Sequence, residues 1–282
     1  MIIWLASYPK SGNTLLRAIL ASYFYSNDGN FDFINLYKIQ QFPSVQHFKN
    51  LNLDLLNEKD VFKNFIEAQK LINKDKKIKF MKTHGSLAKI NNCNFTDLNN
   101  SLGAIYIIRD PRNTVTSYAN HFDISLEQAS EDMLSLKYLQ GLRANDKFEN
   151  SVLTHTGSWS SNYNSWKEFK KVDKYLLIKY EDLVSDISKE IMRIAKYLSN
   201  YFEYEISEKI VDEIKKNTSF ENFKELETKG KFNENSINEI TGEKKTFFNL
   251  GPENNWKKIL KQESIDKIEK EFNKEMKELG YL

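Results

Sequence analysis

Ile2-Ile3-Trp4-Leu5-Ala6-Ser7-Tyr8-Pro9-Lys10-Ser11-Gly12-Asn13-Thr14 runs from an apolar stretch into a polar turn and then into a helical pattern. Residues 2–7 read as a buried strand. Residues 14–25 read as a helix that turns Leu15, Leu16, Ile19, Leu20 and Phe24 inward. The turn between them can hold an anion. Gly12 permits close backbone approach, and the amides at the helix start, the Ser11 and Thr14 hydroxyls and the Lys10 ammonium are all donors. The competing reading is a capped turn with Thr14 as N-cap. The nucleoside-triphosphate pattern GxxxxGK[ST] is absent, because Lys10 precedes Gly12, so a different phosphate ester is implied.

Further apolar runs at residues 78–81, 104–108 and 175–178 alternate with helical patterns. That alternation predicts right-handed βαβ crossovers and an α/β fold with a central parallel sheet and helices on both faces. A ligand site would then lie beyond the carboxyl ends of the strands. Helical stripes follow at residues 187–201 and from Ile265 to Leu279 before Gly280. Residues 229–245 read as a polar surface loop, while 35–57 carry no clear period. With 282 residues, 40% hydrophobic and 28% charged, the chain is read as one domain spanning 1–282.

The 41 Lys and Arg against 39 Asp and Glu leave a charge of +2, which argues against a nucleic-acid partner and makes any basic site local. Cys93 is the one cysteine, so neither an internal disulfide nor a thiolate zinc site is expected, and a reducing, cytoplasmic setting fits. No apolar run reaches membrane-spanning length.

Three further clusters carry chemistry. Lys82-Thr83-His84 ends the second run; a histidine held neutral beside a lysine can remove a proton from a hydroxyl. Arg109-Asp110-Pro111-Arg112, with Ser117 following, ends the third. The chain has five arginines, and two stand there, where a guanidinium fork suits a second phosphate; the alternative is an arginine paired to Asp110 at a helix cap. Trp159 and Trp166 read as core, and Tyr180 and Phe220 as candidates to flank a base. Phe42, Phe48 and Tyr138 read more safely as core than as acceptor contacts.

Taken together, Tyr8-Pro9-Lys10-Ser11-Gly12-Asn13-Thr14, the Lys82-Thr83-His84 trio and the Arg109 to Ser117 stretch resemble the cytosolic sulfotransferases, whose first motif is usually YPKSGTTW. The match departs at Asn13 and Leu15. It departs again at Asn249-Leu250-Gly251, where an Arg-Lys-Gly stretch is usual; Lys244, Lys245 or Lys257 would have to compensate. The resemblance spans about nine tenths of the chain and implies a P-loop nucleotide-hydrolase-like fold.

It also implies that the co-substrate is 3′-phosphoadenosine 5′-phosphosulfate (PAPS), that the product is PAP, and that no metal is used. Lys10, Ser11, Gly12, Asn13 and Thr14 would hold the 5′-phosphosulfate, and Arg109 and Ser117 the 3′-phosphate. Tyr180, Ser219 and Phe220 would border the base, and Gly251 would make a backbone contact. His84 would be the general base, with Lys82 and Lys10 stabilising the transferring group. The acceptor would be a hydroxyl or amine of a small molecule or carbohydrate, unspecified by the sequence. The rivals are a magnesium-dependent kinase, with Asp110 and Glu181 as its acidic residues, and a noncatalytic nucleotide-binding protein.

Overall fold

The computed structural model describes residues 1–26, 28–29, 31–137, 139–140, 152–203, 206–236 and 241–282. Five strands form the main sheet: β1 (Ile2–Ala6), β2 (Gln40–Gln41), β3 (Lys79–Thr83), β4 (Ser101–Ile108) and β5 (Tyr175–Lys179), in the spatial order β2-β3-β1-β4-β5. The helices used below are α1 (Asn13–Tyr25), α2 (Pro111–Phe122), α3 (Trp159–Trp166), α4 (Phe220–Thr228), α5 (Gln262–Glu271) and α6 (Asn273–Leu279). The class is therefore mixed α/β with a central parallel sheet flanked by helices, as the alternation of runs predicts.

The chain divides into two compact units, each assembled from three separate segments: 1–8, 39–108 and 135–177, then 9–38, 109–134 and 178–282. The first unit holds β1 to β4 and the start of β5. β1 pairs in parallel with β3 on one side and β4 on the other, and every β1 residue is buried, as a central strand covered on both faces requires. The order reverses across β1, since β3 lies to one side and the next long strand, β4, to the other. Such a reversal is the topological switch at which open parallel sheets bind ligands.

Partnered residues share a face, so Trp4, Met81 and Ala104 point together, with Ala6, Thr83 and Tyr106 two positions on. On that face Trp4 meets Trp166 of α3 at 6.0 Å between ring centroids, Phe95 at 5.4 Å and Phe42 at 5.6 Å, while its Nε1 donates to Ser101 Oγ at 2.8 Å. Trp159, Trp166, Phe42 and Phe48 are buried, so these aromatics form the core, as expected. Tyr138 lies outside the described residues.

The second unit is helical. Its aromatic centre gathers Phe31, Phe33, Phe223, Phe232 and Phe248 around Ala18 and Leu36, with Leu15 and Phe220 packed against the edge. The helical stripe ending at Leu279 is two helices, not one, because Phe272 (φ −101, ψ 17) leaves helical geometry. Its N–H still bonds Ile268 O and its carbonyl accepts from Met276, so the apolar side stays continuous. Gly280, at φ 72, ends α6 in the left-handed conformation that glycine adopts at low cost. A further helix runs over Leu126–Leu134; residues 141–151 lie outside the described ones. Of 229–245, residues 237–240 likewise lie outside.

The stretch 35–57, which sequence periodicity leaves unread, is built from short pieces: β2 and a single 3-10 turn at Val45–His47. There the Ser44 backbone N–H donates to His47 Nδ1 at 3.2 Å, a bond that only an unprotonated nitrogen accepts. Burial pulls the His47 pKa from 6.5 down to about 4. The unfolded chain therefore takes up this proton first, so the contribution to stability is complete above pH 6.5 and is lost as pH falls toward 4. The thermal midpoint should drop across that window, and His47→Gln should flatten part of the slope. His155, also depressed by burial, carries another part. An unchanged slope in His47→Gln would remove His47 from this role.

Candidate active site

The first motif forms a shaped loop. Lys10 (φ 64) and Gly12 (φ 102) both adopt left-handed backbone, a pattern that turns successive amides toward one point. Gly12, not Thr14, is the N-cap of α1, and no side chain caps that end, so the capped-turn alternative does not hold; Thr14 is the second helical residue. Ser11 is fully buried, and its Oγ has no hydrogen-bond partner among the described residues. A buried hydroxyl in that state at a helix N-terminus fits a phosphate or sulfate oxygen.

The Lys10 ammonium lies 3.4 Å from the centroid of the Phe247 ring. Phe247 itself is held because Glu227 accepts from its N–H at 2.6 Å and from the Phe248 N–H at 3.1 Å. Sequence reasoning missed Phe247. Its signal was faint: an aromatic pair directly preceding the departing Asn249-Leu250-Gly251 stretch.

In the sheet-bearing unit the carboxyl ends of β1 and β3 are level, Ala6 opposite Thr83. The next residues therefore meet. Ser7 N–H donates to Thr83 O at 3.2 Å, and His84 Nδ1 lies 3.0 Å from Ser7 O and 3.1 Å from Ser7 Oγ. A carbonyl can only accept, so Nδ1 carries the proton, and the lone pair of the neutral ring belongs to Nε2. Ser7 stands three residues before Lys10, a chain reach of about 11 Å at most. Lys82 is partly buried on β3, opposite Leu5 and Gln41. After His84 the backbone is close-packed: a Cβ on Gly85 would meet Phe95 Cε2 at 2.9 Å and Thr154 Cγ2 at 3.1 Å.

The two arginines of the third motif separate by role. Arg112 is buried and binds Asp110 Oδ2 at 2.7 Å, Glu269 Oε1 at 2.5 Å and the Tyr281 carbonyl at 2.8 Å, with its guanidinium 4.0 Å from the Trp256 ring centroid. Asp110 caps α2 by accepting from Arg112 N–H. The helix-cap alternative is thus correct for Arg112. Arg109, also buried, stacks its guanidinium 4.3 Å above the Tyr180 ring, which joins two of the expected site residues. Ser117 lies partly buried on α2.

The acidic residues that a magnesium site would need are occupied. Asp110 serves Arg112, and Glu181 accepts from Asp110 N–H at 3.0 Å and from the Tyr281 hydroxyl at 2.8 Å. Among the described residues no three of His, Cys, Asp or Glu are grouped to hold a metal ion.

Phe220 and Gly251 are brought together. Gly251 has φ 51, and a Cβ there would stand 2.3 Å from Phe220 Cζ, so the ring covers a backbone that no side chain can occupy. Ser219 caps α4, accepting from Asn222 N–H at 3.2 Å. Lys245, one of the candidates to replace the absent Arg-Lys pair, is salt-bridged to Asp123, while Lys244 and Lys257 are exposed.

Residues 2–280 match the sulfotransferase domain family model. The chain is 24% identical over 275 residues to bovine sulfotransferase 1E1, covering 97% of this chain and 82% of that protein. It is 24% identical over 287 residues to flavonol 3-sulfotransferase of Flaveria bidentis, covering 99% and 82%. Rabbit amine sulfotransferase is 26% identical over 64% of this chain, a match that spans 56% of the rabbit protein. Among solved structures, mouse sulfotransferase SULT7A1 complexed with PAP superposes with a TM-score of 0.61 at 19% identity, covering 98% of this chain and 84% of the mouse chain. Retinol dehydratase in a complex with retinol and PAP gives 0.58 at 18% identity, covering 98% and 81%. The order and placement of the three motifs, the sheet that carries them and a family model running nearly end to end agree: the chain belongs to the family of PAPS-dependent sulfotransferases of the cytosolic type.

Proposed function

We propose that the chain, working as one domain, transfers a sulfuryl group from PAPS to a hydroxyl or amine of a small-molecule or carbohydrate acceptor, with His84 as general base. The observation that carries this reading is the bond from His84 Nδ1 to Ser7 O, which ties the base to the strand end from which the phosphate loop departs. PAPS supplies the activated sulfuryl group. His84 Nε2 takes the acceptor proton as the new S–O or S–N bond forms and the bond from sulfur to the bridging phosphate oxygen breaks. Lys82 and Lys10 stabilise the charge that gathers on the sulfuryl and phosphate oxygens.

Lys10 can leave Phe247 at small cost. A cation over an aromatic ring contributes about 0.5–2 kcal/mol, against about 1.5–3 kcal/mol for a hydrogen bond to a charged group. The loop amides, Ser11 and the two lysines can do the charge stabilisation that phosphoryl-transfer sites assign to magnesium, because a sulfuryl group carries less negative charge. Metal independence is part of the proposal, supported by the engagement of Asp110 and Glu181 with Arg112 and Tyr281.

Arg109, stacked on Tyr180, is assigned to the 3′-phosphate together with Ser117. Tyr180, Ser219 and Phe220 are assigned to the base, and Gly251 to a backbone contact beneath Phe220. The relatives named above include an amine and a flavonol sulfotransferase, so both acceptor chemistries remain within the proposal.

The deciding measurement is the thermal midpoint with PAP, with ATP plus magnesium, and in buffer. PAP at a hundredfold excess over its Kd should add about 2.7 kcal/mol to stability and raise the midpoint. A rise with ATP and magnesium alone would favour the kinase, and no rise with any of them would overturn PAPS use. His84→Ala should lower turnover about 10²–10⁴-fold with PAP binding retained; wild-type turnover would remove His84 as the base. Arg109→Ala should weaken PAP about tenfold to hundredfold. Arg112→Ala, which strands a buried carboxylate, should instead cost about 3–5 kcal/mol of stability in urea. The reverse pattern would exchange the roles assigned to these arginines.

A further inference from the structure

Asn162, on α3, is fully buried, and its amide is used at both ends. Oδ1 accepts from the Tyr106 hydroxyl at 2.8 Å; Nδ2 donates to the carbonyl of His84 at 2.9 Å and to that of Thr156 at 2.9 Å. The Tyr106 oxygen also receives a hydrogen bond from the Tyr8 backbone, and burial holds its pKa well above the ordinary value, so the hydroxyl keeps its proton and remains the donor to Asn162. Ser7 and Tyr8 are consecutive, and Ser7 O holds His84 Nδ1.

The bonds therefore close a ring through Ser7, His84, Asn162, Tyr106 and Tyr8, with contributions from the end of β1, the end of β3, α3 and β4. All five residues belong to the sheet-bearing unit.

We propose that Asn162 and Tyr106 are positioning residues for His84, holding its backbone at the distance from Ser7 at which Nδ1 keeps the proton and Nε2 keeps the lone pair. Neither residue touches the reacting atoms. Their effect passes through the His84 carbonyl, which Asn162 fixes, and through the Tyr8 amide, which Tyr106 fixes. If either anchor is lost, Ser7 and His84 can drift apart, and a released imidazole reverts to the Nε2–H tautomer it favours in water. A general base displaced by about 1 Å loses on the order of a hundredfold in rate, so such a ring has functional weight beyond its contribution to folding. The inference rests on the reading of His84 as the base.

The test reads the tautomer directly. The full chain, labelled with ¹⁵N at histidine, is examined by long-range ¹H–¹⁵N correlation at pH 8, and His84 is assigned by its loss in His84→Gln. The Nδ1–H form should dominate in the wild type and become the minor form in both Tyr106→Phe and Asn162→Ala, while the Kd for PAP changes less than about twofold. Gln69→Leu is the control. It removes another fully buried amide of the same unit, bonded to Phe95 O and Thr96, and should lower the thermal midpoint without moving the His84 signals.

An unchanged tautomer in both variants, or the same change in Gln69→Leu, overturns the positioning role. If Asn162→Ala does not fold, Tyr106→Phe, which removes a single oxygen, decides alone. Failure of the base reading shows separately, as wild-type turnover in His84→Ala with the tautomer pattern intact.

Discussion

Parallel pairing of β1 with β3, with both strands ending level at Ala6 and Thr83, is the constraint from which the remaining site geometry follows. Level ends make the next residue of each strand a neighbour of the other. Ser7 and His84 meet there through a carbonyl that can only accept, and this one fact selects the tautomer. A register slip of one residue would turn Trp4 off its aromatic face and move His84 away from Ser7 together. The core and the chemistry thus share one determinant. The tryptophan that anchors the sheet to α3 and the histidine at the strand end are set by the same ladder of backbone bonds.

The strands and the loop after β1 were legible because their signals are local. An apolar run, a glycine that must take positive φ and a helical period can each be read within about ten residues. The observed β1, α1 and β4 lie within a few residues of expectation, and the polar clusters stand where strand ends were expected. What stayed illegible depends on partners far along the chain. Nothing near Arg112 tells that it is committed to an ion pair, because Glu269 and the Tyr281 carbonyl, which claim it, arrive from the other end of the sequence. Phe247 was overlooked for the same reason: its importance comes from Lys10, more than two hundred positions earlier. Asn162 gave no signal at all, since a buried amide looks like any surface asparagine until its three partners are known.

The departures from the family pattern also acquire physical content. Leu15, standing where an aromatic residue is usual, packs with Phe220 against the same phenylalanine cluster, so the apolar side of the pattern is kept by different residues. The glycine of the last motif is retained where a ring lies directly on its backbone, and the basic pair beside it, which has no such steric demand, is not. Close approach is a harder constraint than charge. A charge can be supplied from several directions, whereas a contact with no room for a methyl group leaves one residue type.

The division of the chain has an evolutionary consequence. The backbone passes between the two units five times, at residues 8–9, 38–39, 108–109, 134–135 and 177–178, and neither unit is a continuous stretch. No single cut in the gene can lift one unit out and graft it onto another protein. Diversity in such a protein must then accumulate by substitution and by changes in loop length, with both units inherited together. Chains of this kind can drift to about a quarter identity, as this one has from its mammalian and plant relatives, while the order of their motifs stays unshuffled.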